Sequence, residues 1–123
     1  MESIERKLYI LAKTISKIEV RNMASVPTKQ ITRLMEKAKE SYGNWVHDGN
    51  YEMRYGWDSI ALTHYGTTIF WYEPCNSLVG TSGAYSSSDR DAINGVCSLL
   101  GKPRCAYIEK GVLKFDKDRF FEQ

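Results

Sequence analysis

Cysteine, histidine and long apolar runs are all scarce in this sequence. Its 123 residues include three cysteines, Cys75, Cys97 and Cys105, and two histidines, His47 and His64. So few cysteines, odd in number, argue against a disulfide scaffold, and no Cys-x-x-Cys or His-x-x-x-His spacing indicates a zinc site. No apolar run approaches the roughly 18 residues of a membrane helix, and the N-terminus lacks a signal-peptide pattern. We therefore expect a cytoplasmic protein with no metal, no cofactor and no membrane contact.

The motifs that usually mark NTPases and serine hydrolases, Gly-x-x-x-x-Gly-Lys and Gly-x-Ser-x-Gly, are also absent. The formal net charge of +2 is too small to indicate a nucleic-acid partner by electrostatics. That charge is unevenly divided, because residues 1–42 hold nine basic and five acidic side chains while the remainder carries a net −2. We expect a protein that is not an enzyme, with its positive potential in the N-terminal third.

Apolar spacing predicts two helices in that N-terminal third. The first has a stripe that repeats every three or four residues from Ile4 to Ile18, which is also the spacing of a short coiled-coil seam. Pro27 disfavours helical geometry at the residue before it and separates this helix from a second, predicted over residues 28–42. Gly43 stands where a left-handed helix cap is expected.

From Trp45 onward, aromatic and β-branched residues punctuated by glycine are typical of strands. A helix with an apolar face is predicted from Ser88 to Leu100. Two hairpins are expected to turn at Tyr65-Gly66 and Lys110-Gly111. The predicted strands cover residues 51–55, 59–64, 67–72, 79–85, 104–109 and 112–115.

The predicted fold class is therefore α+β, with two N-terminal helices followed by an antiparallel sheet with one packed helix. We expect a single domain over residues 1–123, made of a helical arm (1–43) and a β-rich core (44–123). A small sheet with its own helix offers the arm limited surface, so we expect the arm to form a homo-oligomer with a second copy. The alternative is that both helices cover the sheet of their own subunit.

One turn stands out as a candidate ligand site, because a run of hydroxyl residues leads directly into the third predicted helix. The N–H groups and dipole at a helix start favour anions, so a phosphate could contact Ser86 and Ser88 with Arg90 nearby. Asn94 lies one turn along the same side and could bind a base or ribose, and Tyr85 could stack on a base.

The same turn also has a purely structural interpretation. Ser88 and Asp91 have the spacing of a capping box, in which each side chain bonds the other's backbone N–H. Asp89 and Asp91 would also neutralise the helix dipole that an anion uses. By the residues alone, capping outweighs ligand binding.

The stretch from Leu62 to Asn94 resembles a group of small phage and prophage proteins. Their shared pattern is a His-and-Gly hairpin turn, a Gly-Gly-aromatic run, a Ser/Thr run, a basic residue and an aliphatic-Asn pair that opens a helix. This sequence departs from it at Ala84, where the pattern has an aromatic residue that is displaced to Tyr85, and at Ala92, where many members carry Arg. The matching residues are His64, Gly66, Ser82, Gly83, Ser86, Ser88, Arg90, Ile93 and Asn94.

The overall plan is similar to that of the anti-Thoeris sponges, phage proteins that sequester cyclic ADP-ribose signals. The resemblance implies a phage counter-defence protein in the bacterial cytoplasm, with a nucleotide pocket and no hydrolysis. It implies that the phosphates meet Arg90 and Arg104, that the base stacks on Tyr85 and that Asn94 donates a hydrogen bond. The alternatives are a protein inhibitor of a bacterial defence nuclease and a nucleic-acid-binding accessory protein.

Two other groups of residues have a chemical interpretation. His64, Cys75 and Asp58 could be combined as base, nucleophile and orienting carboxylate, but their spacing does not support this. The aromatic run Phe70-Trp71-Tyr72 could stack bases, as RNA-binding sheets do. Since neighbours on a strand point to opposite faces, part of this run is expected in the core.

Overall fold

A computed structural model describes residues 26–82 and 86–122, which form an α+β fold. None of the helices in these two stretches is long and apolar enough to cross a membrane. The predicted class, with an antiparallel sheet and packed helices, is confirmed. The first predicted N-terminal helix, Ile4 to Ile18, lies outside the described residues. In chain order the elements are α1 (Lys29–Glu40), β1 (Trp45–Asp48), β2 (Tyr51–Tyr55), β3 (Ile60–His64), β4 (Thr67–Glu73), β5 (Leu78–Gly80), α2 (Ser87–Leu99), β6 (Ala106–Glu109), β7 (Val112–Phe115) and α3 (Lys117–Phe121).

The first five strands form an antiparallel meander in the order β1-β2-β3-β4-β5, and β6 pairs only with β7 in a separate hairpin. Both predicted hairpin turns are confirmed. Tyr65 and Gly66 have φ values of 51° and 77°, and Lys110 and Gly111 have 51° and 77°. Two successive positive φ values produce the tight turn whose twist matches that of the flanking strands.

The structure corrects several details of the predicted elements. The strand expected over residues 79–85 ends at Gly80, and β1 and α3 were not predicted. Helix α2 begins at Ser87 instead of Ser88. These differences lie in short segments, where tertiary contacts outweigh local preference.

Helix α1 packs its apolar side against the main sheet. Thr28 caps it by accepting a 3.2 Å hydrogen bond from the N–H of Ile31. Its buried side packs on β1, β2 and α2 and comprises Ile31, Leu34, Met35 and Ala38. The expected arm of residues 1–43 thus includes a helix that covers the sheet of its own chain.

The polar side of α1 protects the edge of the sheet. Gln30 donates to the carbonyl of Asp48 at 2.8 Å, and Arg33 and Lys37 pair with the carboxylate of Asp48 at 3.1 and 3.5 Å. An uncovered edge strand invites pairing with another chain. These contacts hold β1 against α1 and occupy polar groups of that edge.

The C-terminal tail docks into the core through Phe120, which is fully buried in the short helix α3. Its ring meets Tyr72 edge-on, with centroids 4.8 Å apart, and also contacts Phe70 and Phe115. Aromatic pairs favour such tilted and edge-on geometry. The tail therefore fastens the β6–β7 hairpin to the main sheet.

Candidate functional site

The side chain of Asp89 caps the start of α2, a role that the sequence prediction gave to Asp91. Ser86 is the N-cap, and its N–H donates to the carboxylate of Asp89 at 3.4 Å. The capping box thus lies two residues earlier than the predicted Ser88–Asp91 pair. Asp91 instead points outward and pairs with Arg90 at 3.1 Å.

The hydroxyls predicted to bind an anion lie on this exposed turn. Ser86 and Ser88 are exposed, and their hydroxyl oxygens hydrogen-bond each other at 2.8 Å. Tyr85 lies outside the described residues, so its predicted stacking role stays a prediction. The structure does not bring the two serines to the cavity that Arg90, Asn94 and Arg104 share.

That cavity, which we call the arginine groove, has a volume of about 860 Å³. It lies beside one side of α2, the strand β6 and the start of α3, elements that are far apart in sequence. Three of the six predicted site residues therefore line one concave surface. The lining consists of Val26, Thr28, Arg90, Asp91, Asn94, Arg104, Cys105, Ala106, Tyr107, Ile108, Asp116 and Arg119.

Two arginines of the groove, Arg104 and Arg119, form no ion pair with a carboxylate of the described residues and can therefore bind a ligand. Asp91 already pairs with Arg90, and Asp116 caps α3 by accepting from the N–H of Arg119 at 3.0 Å. Within residues 26–82 and 86–122 the exposed side chain of Arg104 forms no ion pair, and Arg119 makes only a 3.5 Å contact with the carbonyl of Arg104. A guanidinium presents donors in the geometry that a phosphate accepts.

Asn94 has a structural role that the sequence did not indicate. Its side chain is buried, and Oδ1 accepts from the N–H groups of Cys105 and Ala106 at 3.1 and 2.8 Å. Its Nδ2 donates to the carbonyl of Ala106 at 2.9 Å. Because these backbone partners take both the amide oxygen and one amide hydrogen, Asn94 acts chiefly by holding β6 against α2 at the base of the groove.

Tyr107 and Arg119 are two groove residues that could contact a ligand and that the sequence did not predict as site residues. Tyr107 lines the groove with 43% of its surface exposed, and Arg119 comes from α3 at the end of the chain. The strand predicted over residues 104–109 placed Arg104 and Tyr107 near each other. No sequence signal connects Arg119 to them, because α3 reaches the groove only when Phe120 docks.

The floor of the groove includes a thiol in contact with a second thiol. A hydrogen bond from Cys97 lowers the pKa of Cys105, and the positive charges of Arg119 and Lys102 act in the same direction. The same hydrogen bond, together with burial, raises the pKa of Cys97. Both side chains are buried and free of disulfides. Cys105 thus adds a buried thiol, which donates to the carbonyl of Pro103 at 3.3 Å, to the lining of the groove.

Neither the His64, Cys75 and Asp58 set nor the aromatic run Phe70-Trp71-Tyr72 forms a common site in the structure. His64 lies against Asp89, Asp58 pairs with Arg54 at 3.1 Å, and Cys75 is exposed in the connection after β4. Phe70 is buried in the core and Tyr72 packs against that core. Trp71 points to the opposite face, where its ring covers Gly80. The aromatic run therefore does not present three rings on one surface.

No metal centre is formed by the His, Cys, Asp and Glu side chains of residues 26–82 and 86–122. Comparisons with protein-family models, with curated proteins and with solved structures find no match to this chain.

Proposed function

We propose that this protein binds a phosphate-bearing nucleotide in the arginine groove and holds it without cleaving it. The observation that carries the proposal is the convergence of Arg104 and Arg119, together with Arg90, on one cavity of about 860 Å³. The proposal retains the nucleotide ligand and the roles of Arg90 and Arg104 expected from the sequence. It adds Arg119 and Tyr107 to the site.

The phosphate is assigned to Arg104 and Arg119. Neither guanidinium forms an ion pair within the described part of the chain, whereas the two groove carboxylates have partners of their own. A charge-assisted hydrogen bond of this kind contributes about 1.5–3 kcal/mol. Arg90 is held by Asp91 in an exposed pair, which is weak enough to exchange for a phosphate.

The nucleobase is assigned to Tyr107. Its ring lines the groove and is partly exposed, so that a flat ligand can cover it. Stacking of a base on an aromatic side chain contributes about 1–3 kcal/mol and needs no particular base. The groove volume lies within the range of about 300–1,000 Å³ typical of small-molecule sites. A nucleotide with more than one phosphate is the ligand class that could contact the three arginines and Tyr107 together.

The resemblance to phage proteins suggests a biological role for such binding. A protein that binds a nucleotide tightly and returns it intact acts as a sponge, and cyclic ADP-ribose signals are the ligands that the resemblance implies. We therefore propose counter-defence by sequestration in the cytoplasm of a bacterial host. Cyclic oligonucleotides form the second ligand class to be tested.

A homo-oligomer is part of this proposal. The apolar stripe predicted from Ile4 to Ile18 has the spacing of a short coiled-coil seam, which a second copy of the chain would complete. Light scattering should give a mass above 14.1 kDa for the full chain. The double variant Leu8→Glu/Leu11→Glu should reduce it to the monomer mass, and a monomeric full chain would remove this part of the proposal.

The binding test uses titration calorimetry with cyclic ADP-ribose isomers and cyclic trinucleotides. Arg104→Ala and Arg119→Ala should each weaken binding about tenfold or more, because each removes a charge-assisted hydrogen bond. Arg33→Ala is the matched control, since it removes a guanidinium from α1 outside the groove. The Arg33→Ala variant should bind each nucleotide with the same affinity as the unchanged protein.

The same preparations show whether the ligand is sequestered or consumed. After heat denaturation of the complex, mass spectrometry should recover the nucleotide at its original mass. Recovery of a cleaved product would contradict sequestration. Failure of every nucleotide to bind, or equal weakening by Arg33→Ala and Arg104→Ala, would contradict the assignment of the groove.

A further inference from the structure

His64 is held in a fixed orientation by a buried carboxylate. Its Nδ1 lies 2.6 Å from Oδ1 of Asp89, whose side chain is only 7% exposed. The ring of Tyr51 stacks on the imidazole with centroids 4.0 Å apart and planes 7° from parallel. Because an ionised carboxylate can only accept hydrogen bonds, we assign the Nδ1 proton to His64 in its neutral form.

This tautomer leaves the lone pair of the neutral ring on Nε2. Nε2 forms no hydrogen bond to any residue in the described stretches 26–82 and 86–122, and the side chain of His64 remains 16% exposed. A histidine oriented by a carboxylate at Nδ1, with Nε2 free of hydrogen bonds and not fully buried, is the arrangement of a general base. The nucleotide proposal makes no use of it, since neither His64 nor Asp89 lines the arginine groove.

The surroundings of His64 disfavour an anionic substrate. Tyr65 flanks the ring at 4.4 Å, and its hydroxyl accepts from Asn50 at 2.9 Å. Burial raises the pKa of Tyr51, and the negative charge of Asp89 acts in the same direction. In the described part of the chain, no Lys or Arg pairs with Asp89 or His64. The carboxylate of Asp89 beside His64, with no cation paired to either residue in the described stretches, disfavours a phosphate and favours an uncharged compound.

We propose that His64 is a general base for the hydrolysis of an uncharged carboxylic ester, with Asp89 as its positioning residue. Nε2 takes a proton from water while the water oxygen bonds to the carbonyl carbon, and the carbonyl electron pair moves to oxygen. When that pair returns, the bond to the alkoxy oxygen breaks. The imidazolium gives its proton to the departing alkoxide, so the products are a carboxylic acid and an alcohol and the base is regenerated.

The test measures hydrolysis of ethyl dichloroacetate, an uncharged alkyl ester, by the full chain. A positioned general base contributes about 10²–10⁴-fold, so His64→Gln should lower the protein-dependent rate at least about tenfold. His47→Gln is the matched control, because His47 is the second histidine of the chain and lies exposed on β1. Its rate should equal that of the unchanged protein. A full-chain rate no higher than that of free imidazole at equal concentration, or equal rates for the two variants, would overturn the proposal.

If His64→Gln does not fold, chemical modification of His64 in the unchanged protein provides a second test. Diethyl pyrocarbonate acylates accessible imidazole nitrogens, and peptide mass spectrometry locates the adduct. Loss of the esterase rate should follow acylation of His64 and be independent of acylation of His47. Full activity after complete acylation of His64 would overturn the proposal.

The role of Asp89 has its own measurement. Nitrogen-15 chemical shifts of the His64 ring should report the Nδ1–H tautomer in the unchanged protein. Asp89→Asn should shift the ring toward the other tautomer and lower the rate, as expected when an oriented base loses its carboxylate. An unchanged tautomer together with a lower rate would contradict positioning by Asp89. Asp118→Asn, which changes an exposed carboxylate of α3, is the control and should leave both readouts unchanged.

Discussion

The side-chain oxygen of Asn94 accepts a 2.8 Å hydrogen bond from the N–H of Ala106, which joins the middle of α2 to the first residue of β6. A second N–H, that of Cys105, shares the same acceptor. The hairpin β6–β7 is separate from the main sheet, so this amide supplies hydrogen bonds that a neighbouring strand would otherwise provide. The position of Arg104, next to Cys105, depends on it.

Asn94→Ala should therefore reduce stability, because it leaves two buried N–H groups and one carbonyl without partners. An unsatisfied buried group costs about 1–3 kcal/mol, so we expect a loss of at least about 2 kcal/mol in the free energy of unfolding. Urea denaturation followed by circular dichroism measures it. Arg90→Ala, four residues earlier in an exposed ion pair, should change stability by less than about 0.5 kcal/mol. Equal losses would contradict the structural role of Asn94.

Phe120→Ala should weaken the docking of the C-terminal tail. The fully buried ring contacts Phe70, Tyr72 and Phe115, and truncation of a buried phenylalanine costs about 3–5 kcal/mol. Phe121→Ala is the neighbouring control, because that side chain is 38% exposed. Thermal melting should separate the two variants clearly. A Phe120→Ala protein as stable as the control would show that the tail does not fasten the hairpin.

Gly80→Ala should destabilise the sheet by about 1–3 kcal/mol through overpacking. A Cβ at this position would lie 2.8 Å from Cζ2 of Trp71, on the face of β4 opposite the core. The strain should disappear in a Trp71→Ala background, where the ring is absent. Comparison of the four melting curves tests this, and an undiminished cost of Gly80→Ala without the Trp71 ring would contradict it.

The pair of Asp48 and Arg33 should make stability depend on acid. A hydrogen bond from Arg33 lowers the pKa of Asp48. A carboxyl group with a lowered pKa stabilises the fold above its unfolded value, about 3.9, and this contribution is lost as pH falls through the folded pKa. Asp48→Asn should therefore lower the melting temperature at pH 7 and have little effect near pH 2.

A double-mutant cycle with Arg33→Ala isolates this pair from the other contacts of α1. The coupling between the two substitutions should be present at pH 7 and absent near pH 2. A coupling that is equal at both pH values would contradict the assignment, because it would come from packing and not from ionisation of Asp48.

The sequence determined those parts of this protein that depend on neighbours along the chain. Apolar spacing predicted α1, and the following aromatic, β-branched and glycine-rich segment predicted a hairpin-rich antiparallel sheet. The Tyr65-Gly66 and Lys110-Gly111 pairs predicted their turns, because tight hairpins require positive φ at both central positions. These rules depend only on residues close in sequence, and they predict the ends of helices and strands to within a few residues.

Only the tertiary structure decided which residues share a site. Arg104 and Arg119 are brought to one groove because Phe120 docks α3 into the core. Asn94 hydrogen-bonds the backbone of β6 because that strand pairs with β7 along one side and lies against α2 along the other. Burial and long-range contact set the chemistry of a polar side chain, and neither can be read from its spacing in the sequence.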